Sequence, residues 1–294
     1  MKIAGRREST NVEDRRGMSA GAKAGVGGIG GLIVIALMTI LGGGDLGDVV
    51  SNVVQSGGLS AIQTETAEGQ REFTEEEQQL AQECKIILAS TEDVWTKVFS
   101  DNGLGRYEPP TLVLFTGSVQ SACGSATASV GPFYCSGDEK LYIDLSFFTE
   151  MKRQLGVEGN TFAYAYVIAH EIGHHVEHSL GILDKAHAQM SRTDQKEANK
   201  MSVRLELLAD YYAGVWAHHE DAMNHSLEYG DMERGLELAK AIGDDWLQKN
   251  ARGYAQPESF THGTSAQRKR WLKRGFDTGD MNTSTFNVAN YDEL

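Results

Sequence analysis

Basic residues are scarce in this chain, with 27 lysines and arginines against 41 aspartates and glutamates among 294 residues, a formal net charge of −14. An acidic protein repels phosphate backbones, which argues against nucleic acid as a partner. Cysteine is scarcer still. The three cysteines form no CxxC pair, which argues against zinc bound by thiolates. No internal repeat or long low-complexity tract is present, and the length suits one large domain or two small ones.

The string His-Glu-Ile-Gly-His at 170–174 has the HExxH pattern, and its flanks, 161–180, have apolar residues at helical spacing. Residues four apart lie on one face of a helix, so His170 and His174 are predicted to bind the same metal ion. Glu171 lies beside them and is predicted to be the general base that accepts a proton from water. The pattern predicts a zinc peptidase. A histidine pair on a solvated helix face is the alternative.

A hydrolytic zinc site needs a third protein ligand and an open position for water. The segment 204–214 offers Glu206 as that ligand, and Asp210, one turn later, is predicted to accept the second ring N–H of a ligand histidine. HExxH followed by ExxxD is the arrangement of the glutamate zincins. Both carboxylates lie among apolar residues, which favours these roles over a solvated acidic face. Glu177 is the less favoured rival ligand, because it would have to reach past His174.

Among the other histidines, His262 has a predicted role in catalysis. It precedes a helix start at 259–265, where its ring would donate a hydrogen bond to the oxyanion that forms when water attacks a carbonyl. A histidine in a capping turn is an alternative of equal weight. The remaining histidines are predicted to lie at the surface, namely His175, His178, His187, His218, His219 and His225.

Residues 24–44 contain no charge and have a strongly apolar centre, long enough to cross a bilayer as a helix. The polar leader, 1–23, and the lack of an Ala-x-Ala site favour an uncleaved anchor over a signal peptide. Residues 1–44 carry a net charge of +3, against −17 for the remainder. By the positive-inside rule the leader is predicted to be cytoplasmic and the rest to lie across the membrane. Residues 45–73 are predicted to be a flexible tether and 74–294 the catalytic domain.

Cysteine usage agrees with that orientation. Cys123 and Cys135 are predicted to close a short loop as a disulfide, which forms and persists in oxidising compartments. Cys84, in a predicted amphipathic helix, would then be unpaired. Three reduced thiols in the core are the alternative.

The order of elements predicts an α+β fold. Helices are predicted at 74–102, 161–180, 232–247 and after 259–265, with the ligand helix at 204–214, and strands at 111–115, 131–135 and 141–145. The strand at 141–145 precedes the HExxH helix, and we expect it to be a sheet edge that pairs with an extended peptide substrate.

These strings resemble the bacterial putative neutral zinc metallopeptidase family over nearly the whole chain. The matching segments are 5–9, 11–16, 131–135, 166–175, 205–210 and 260–265. The resemblance implies a zincin-like domain behind a single membrane anchor, with His170, His174 and Glu206 at the ligand positions and Glu171 as the base. The chain departs from the expected pattern at Tyr211, where a cysteine is expected, and this leaves the role of Cys84 open.

The sequence therefore predicts a zinc-dependent endopeptidase with one zinc ion, anchored in the bacterial inner membrane by residues 24–44 and acting outside the cytoplasm on a protein or peptide substrate. A binding or assembly protein with a structural or vestigial zinc site is one alternative. A zinc amidase that acts on cell-wall peptides is another. An open fourth zinc position would favour an enzyme, whereas a fourth protein ligand would favour a structural site.

Overall fold

The computed structural model of the chain describes residues 1–17, 72–155 and 160–294, which form eight α-helices and six strands. The helices are α1 (Glu75–Asp101), α2 (Ser146–Leu155), α3 (Thr161–Ser179), α4 (Ile182–Met190), α5 (Gln195–Asn224), α6 (Asp231–Ala241), α7 (Asp244–Arg252) and α8 (Ser265–Thr278). The strands are β1 (Val12–Asp14), β2 (Thr111–Phe115), β3 (Ser118–Ser121), β4 (Gly124–Thr127), β5 (Phe133–Cys135) and β6 (Lys140–Asp144). The predicted α+β class with a small sheet is confirmed.

The main sheet has the order β1-β2-β6-β5. The first three strands are parallel, and β5 runs antiparallel to β6. Alternate residues point to opposite faces, so Leu112 and Ile143 enter the helical core while Val113 and Tyr142 pack under the β3-β4 hairpin. The expectation that 141–145 forms a sheet edge is wrong. The turn after Cys135 folds β5 against β6, and β5 becomes the edge strand.

The helical core packs α3, α5 and α8 closely against one another. Gly173 on α3 lies against Ala209 on α5, where an added Cβ would come within 2.8 Å of the Ala209 carbonyl oxygen. Gly214 and Gly275 make the contact between α5 and α8, where a Cβ on either would overlap the other helix's backbone. Small residues at these crossings let the helix carrying the HExxH string approach the ligand helix.

The start of α1 follows its sequence signal, because Thr74 and Glu77 form a capping box. The single helix predicted over 232–247 is wrong. The structure has two helices there, α6 and α7, separated at Ile242 and Gly243. Gly243 packs against the backbone of Ser265, which leaves no space for a side chain and turns the chain into α7.

Residues 1–17 pack onto the sheet and helices of residues 72–294. β1 forms a parallel ladder with β2, and Arg6 makes an ion pair with the buried Glu220 of α5. Ser9 donates a hydrogen bond of 2.5 Å to Glu92 of α1. Strands of one sheet must lie on the same side of a membrane, so this packing is incompatible with a leader and a domain placed on opposite sides.

The predicted membrane segment, 24–44, lies outside the described residues, as does the predicted tether apart from its last two residues. Across residues 1–17, 72–155 and 160–294, no helix is long and apolar enough to cross a bilayer.

Candidate metal centre and active site

Two neighbouring helices bring the predicted ligands together. His170 and His174 lie one turn apart on α3, and Glu206 reaches them from α5. The distance from His170 Nε2 to Glu206 Oε2 is 3.2 Å, and that from His174 Nε2 to Glu206 Oε1 is 3.6 Å. The three side chains are buried, and their candidate ligand atoms lie within 4.8 Å of one another. This arrangement can hold one metal ion.

The other ring nitrogen of each histidine has a carboxylate partner. His170 Nδ1 donates to Asp210 Oδ1 at 2.9 Å, and His174 Nδ1 donates to Glu177 Oε2 at 2.9 Å. A proton held on Nδ1 leaves the Nε2 lone pair for a metal. The donor set of two imidazoles and one carboxylate is one that zinc uses in hydrolases, so the residues fit a zinc ion. Glu177 supports His174 and is not the rival ligand that its position on α3 suggested.

Arg268 of α8 forms an ion pair with Asp210, the carboxylate that accepts from His170. Its Nε donates to Asp210 Oδ2 at 2.8 Å and a terminal nitrogen donates to Oδ1 at 3.0 Å. Tyr166 donates a further hydrogen bond of 2.6 Å to the same carboxylate. Burial alone raises the pKa of Asp210, but the charge of Arg268 and the hydrogen bond from His170 outweigh it and lower the pKa. Asp210 is therefore held as a fixed carboxylate behind the ligand.

The surroundings of Glu206 favour its ionised form. Burial raises its pKa, but the charge of His262 and the two ligand histidines next to its carboxylate hold the pKa well below its usual range. Arg268 lies 3.8 Å from Glu206 Oε2. A buried carboxylate in this state is a ready metal ligand.

Glu171 is a residue of α3, and its side chain reaches the edge strand β5. The backbone N–H of Tyr134 in β5 donates to Glu171 Oε2 at 2.9 Å. Burial raises the pKa of Glu171, which makes its carboxylate a better proton acceptor than an exposed glutamate. The hydrogen bond fixes one oxygen and leaves Oε1 for proton transfer.

His262 lies in the wall of the cavity next to the ligands. Its Nδ1 donates to Asp244 Oδ1 at 3.1 Å, while Asp244 Oδ2 accepts the backbone N–H groups of Thr261, His262 and Gly263 at 2.8, 2.7 and 3.0 Å. Burial lowers the pKa of His262, but the charges of Glu206 and Asp244 outweigh it and raise the pKa. Asp244 thus fixes both the loop and the ring, and the raised pKa favours the doubly protonated ring, in which Nε2 is also a donor.

A cavity of about 490 Å³ opens onto these residues. Glu171, His170, His174, Glu206, His262 and Arg268 all line it. Its volume is in the range of ligand-binding pockets, roughly 300–1,000 Å³. The structure thus brings the predicted base, ligands and oxyanion donor to one cavity.

The remaining sequence predictions have mixed outcomes. A disulfide links Cys123 to Cys135, and Cys84 is a free, buried cysteine. The surface position predicted for His175 is wrong, because its ring is buried between Tyr134 and Glu108. The reason is that α3 is covered on that side by β5, which a helical spacing argument does not include.

Three site residues were missed by the sequence argument: Arg268, Asp244 and Glu177 in its supporting role. The sequence carried one signal for Arg268, because this residue shares a helix face with the apolar Trp271 and Leu272. An arginine on a buried apolar face needs a buried partner of opposite charge. Asp244 gave no such signal, because an acidic residue at a helix start is ordinary.

Comparison with known proteins gives a family match. A model of the family described as "Putative neutral zinc metallopeptidase" matches residues 1–286. The chain is 43% identical over 288 residues to the uncharacterized protein YpfJ of Escherichia coli (strain K12), covering 95% of this chain and 96% of the relative. It is 38% identical over 219 residues to the uncharacterized protein Rv2575 of Mycobacterium tuberculosis (strain H37Rv), covering 70% of this chain and 71% of the relative. No solved structure matches the chain.

Proposed function

The chain belongs to the putative neutral zinc metallopeptidase family, and from this premise we propose that it is a zinc-dependent endopeptidase that hydrolyses peptide bonds with Glu171 as general base. The observation that carries the proposal is the convergence of His170, His174 and Glu206 on one point beside the cavity. A zinc ion held by these three side chains would lower the pKa of a bound water and polarise the carbonyl to be attacked.

The protein's own groups then have separate tasks. Glu171 Oε1 takes the proton from the attacking water and delivers it to the leaving amine. His262 donates from Nε2 to the oxyanion when its ring is protonated on both nitrogens, a state that the charges of Glu206 and Asp244 favour by raising its pKa. Asp210 and Glu177 keep the ligand histidines in the tautomer that offers Nε2.

The cavity supports an enzyme over a structural zinc site. Structural zinc sites close with four protein ligands, whereas hydrolytic ones use three and keep a position for water. In the part of the chain that the structure describes, the group able to hold a metal has three members, and it borders an open cavity. A binding or assembly protein would need neither the open position nor a base at Glu171.

The disulfide supports a location outside the cytoplasm. Disulfides persist in oxidising compartments and are rare in the cytosol. We place the catalytic domain outside the cytoplasm, with protein or peptide chains as its substrates. Because β1 belongs to the domain's sheet, residues 1–17 are on that same side.

The test is hydrolysis by the zinc-loaded full-length chain of a peptide library covering all amino acids, with a sample stripped by a chelator and one reloaded with zinc. We expect cleavage only in the presence of zinc, restored on reloading. Absence of cleavage by a protein that carries one zinc ion would refute the proposed function. Cleavage that persists without metal would refute the mechanism.

A further inference from the structure

The wall of the cavity away from the catalytic groups is apolar. Helix α2 supplies Phe147, Met151 and Leu155, which are spaced four residues apart and therefore lie along one face of the helix. The α6–α7 region, later in the chain, supplies Leu238, Ile242 and Leu247 to the same cavity. These residues come from three separate elements and supply apolar lining to the cavity that holds the candidate centre.

Ionisable groups in the cavity are concentrated in the catalytic centre. His170, His174, Glu206, His262 and Arg268 are already engaged with one another there or with Asp210 and Asp244. Glu150 of α2, Glu171 of α3 and His187 of α4 also line the cavity. A substrate carboxylate against the apolar wall would lose its hydration, and Arg268, the arginine that lines the cavity, is already paired with Asp210, so burial of that carboxylate there is unfavourable.

The cavity also adjoins the edge strand. Gly131, Phe133 and Tyr134 line it, and Tyr134 is bonded to Glu171. A peptide lying beside β5 with its scissile carbonyl next to Glu171 therefore has the neighbouring side chain within reach of the apolar wall.

We propose that this apolar wall is a specificity pocket that selects substrates with a large apolar residue, such as phenylalanine or leucine, directly next to the scissile bond. The proposal rests on the endopeptidase function above and names its substrate class. Peptides with acidic residues at that position are rejected. Cell-wall peptides, which are rich in alanine and free carboxylates, fit this pocket poorly, so the inference also separates the endopeptidase from a cell-wall amidase.

The test uses the zinc-loaded full-length chain and a series of capped peptides that differ at one residue on either side of the cut, with phenylalanine, leucine, alanine, lysine or glutamate. We expect kcat/KM for phenylalanine or leucine to exceed that for alanine or glutamate by about tenfold or more at one of the two positions. Cleavage with no apolar preference at either position would overturn the pocket while leaving the proposed function intact.

Charged substitutions in the wall provide the second arm. Phe147→Lys and Ile242→Lys, at two half-buried wall positions on different elements, should reduce the preference for phenylalanine over glutamate by about tenfold. Phe286→Lys is the matched control, because Phe286 is 37% exposed and does not line the cavity. Melting curves identify which variants are folded. An unchanged preference in a folded wall variant would contradict the proposal.

A binding measurement distinguishes failure of the pocket proposal from failure of the proposed peptidase function. Calorimetry with the Glu171→Gln variant measures binding of the phenylalanine and glutamate peptides without cleavage. Preferential binding of the phenylalanine peptide, together with a wild type that cuts nothing, would retain the pocket and refute the peptidase. Equal binding of both peptides would refute the pocket.

Discussion

At the scale of single residues, two glutamates contact the ligand histidines through different nitrogen atoms. Glu206 faces Nε2 of both rings, whereas Glu177 accepts from Nδ1 of His174 alone. The first geometry is that of a ligand, and the second is that of a residue that orients a ligand.

Replacement of these glutamates should therefore have graded effects on zinc. We expect Glu206→Gln to abolish stoichiometric zinc binding, and Glu177→Gln to weaken it by about 10- to 100-fold, the usual cost of losing an orienting partner. Competitive titration with a chromogenic chelator measures both affinities. Exposed Glu197→Gln is the control and should bind zinc like wild type. A larger loss in Glu177→Gln than in Glu206→Gln would reverse the ligand assignment.

His262 should act on turnover. An oxyanion donor stabilises charge that develops only in the transition state, so His262→Ala should lower kcat by about ten- to a thousandfold, with little change in KM or zinc content. His262→Gln keeps an N–H donor and should recover part of the loss, while exposed His225→Ala should behave as wild type. Normal turnover with a melting temperature lowered in His262→Ala would instead identify a capping residue.

Spacing along one helix predicted that His170 and His174 share a site, because side chains four apart must share a face whatever the rest of the fold does. Glu206 was predicted from its position among apolar residues in the segment 204–214. The candidate ligand atoms of His170, His174 and Glu206 do lie together. Arg268 and Asp244 could not be found in this way. Each meets its partner across more than a dozen residues of sequence, and only tertiary packing determines such contacts.

At the scale of elements, the centre depends on the distance between α3 and α5. Gly173 lies inside the HExxH string, and its Cα faces the backbone of Ala209 on α5. A methyl group there must push the helices apart, and α5 carries Glu206. Packing and metal binding are therefore coupled at this crossing.

Gly173→Ala should lower both stability and zinc affinity. Overpacking at the crossing costs about 1–3 kcal/mol of unfolding free energy, and displacement of Glu206 should weaken zinc binding at the same time. Gly181→Ala is the matched control. An added Cβ there meets nothing within 4 Å, and its positive φ of 66° costs about 1 kcal/mol without moving either helix. Denaturant titration and zinc affinity on both variants measure the difference. Equal zinc affinities in the two would contradict the coupling.

Elements with strong local signals were predicted well, and those that depend on distant contacts were not. The strand over Thr111–Phe115 and the helix over Thr161–Ser179 have apolar patterns that agree with their final environment. The break between α6 and α7 depends on Ser265, which is far away in sequence, and the edge position of β5 depends on sheet order. Neither is encoded in local periodicity.

At the scale of the whole molecule, residues 1–17 and the helices that carry the candidate site form one folded unit. The pairing of β1 with β2 and the ion pair of Arg6 with Glu220 connect the start of the chain to the sheet and to α5. The sequence could not predict this, because a basic segment before an apolar run carries the same pattern as a cytoplasmic leader.

Lysine labelling in intact spheroplasts tests the arrangement. Lys2 and Lys185 are exposed, one in the N-terminal segment and one on α4. With a membrane-impermeant amine reagent we expect both lysines to be labelled to the same extent, since they are on the same side. Lysed spheroplasts give the full labelling of each site for reference. Labelling of Lys185 with protection of Lys2 would contradict the β1–β2 pairing in the cell.

The central claim is that a zinc centre and Glu171 together hydrolyse peptide bonds, and Glu171→Gln tests it most directly. The substitution removes the base and no metal ligand, and its amide nitrogen is close in size to the oxygen it replaces. The measurement is turnover per bound zinc ion in wild type and variant, with the metal quantified in the same samples. We predict one zinc ion per chain in both and a fall in turnover of about a hundredfold or more in the variant. Equal turnover per zinc ion in the two proteins would contradict the account.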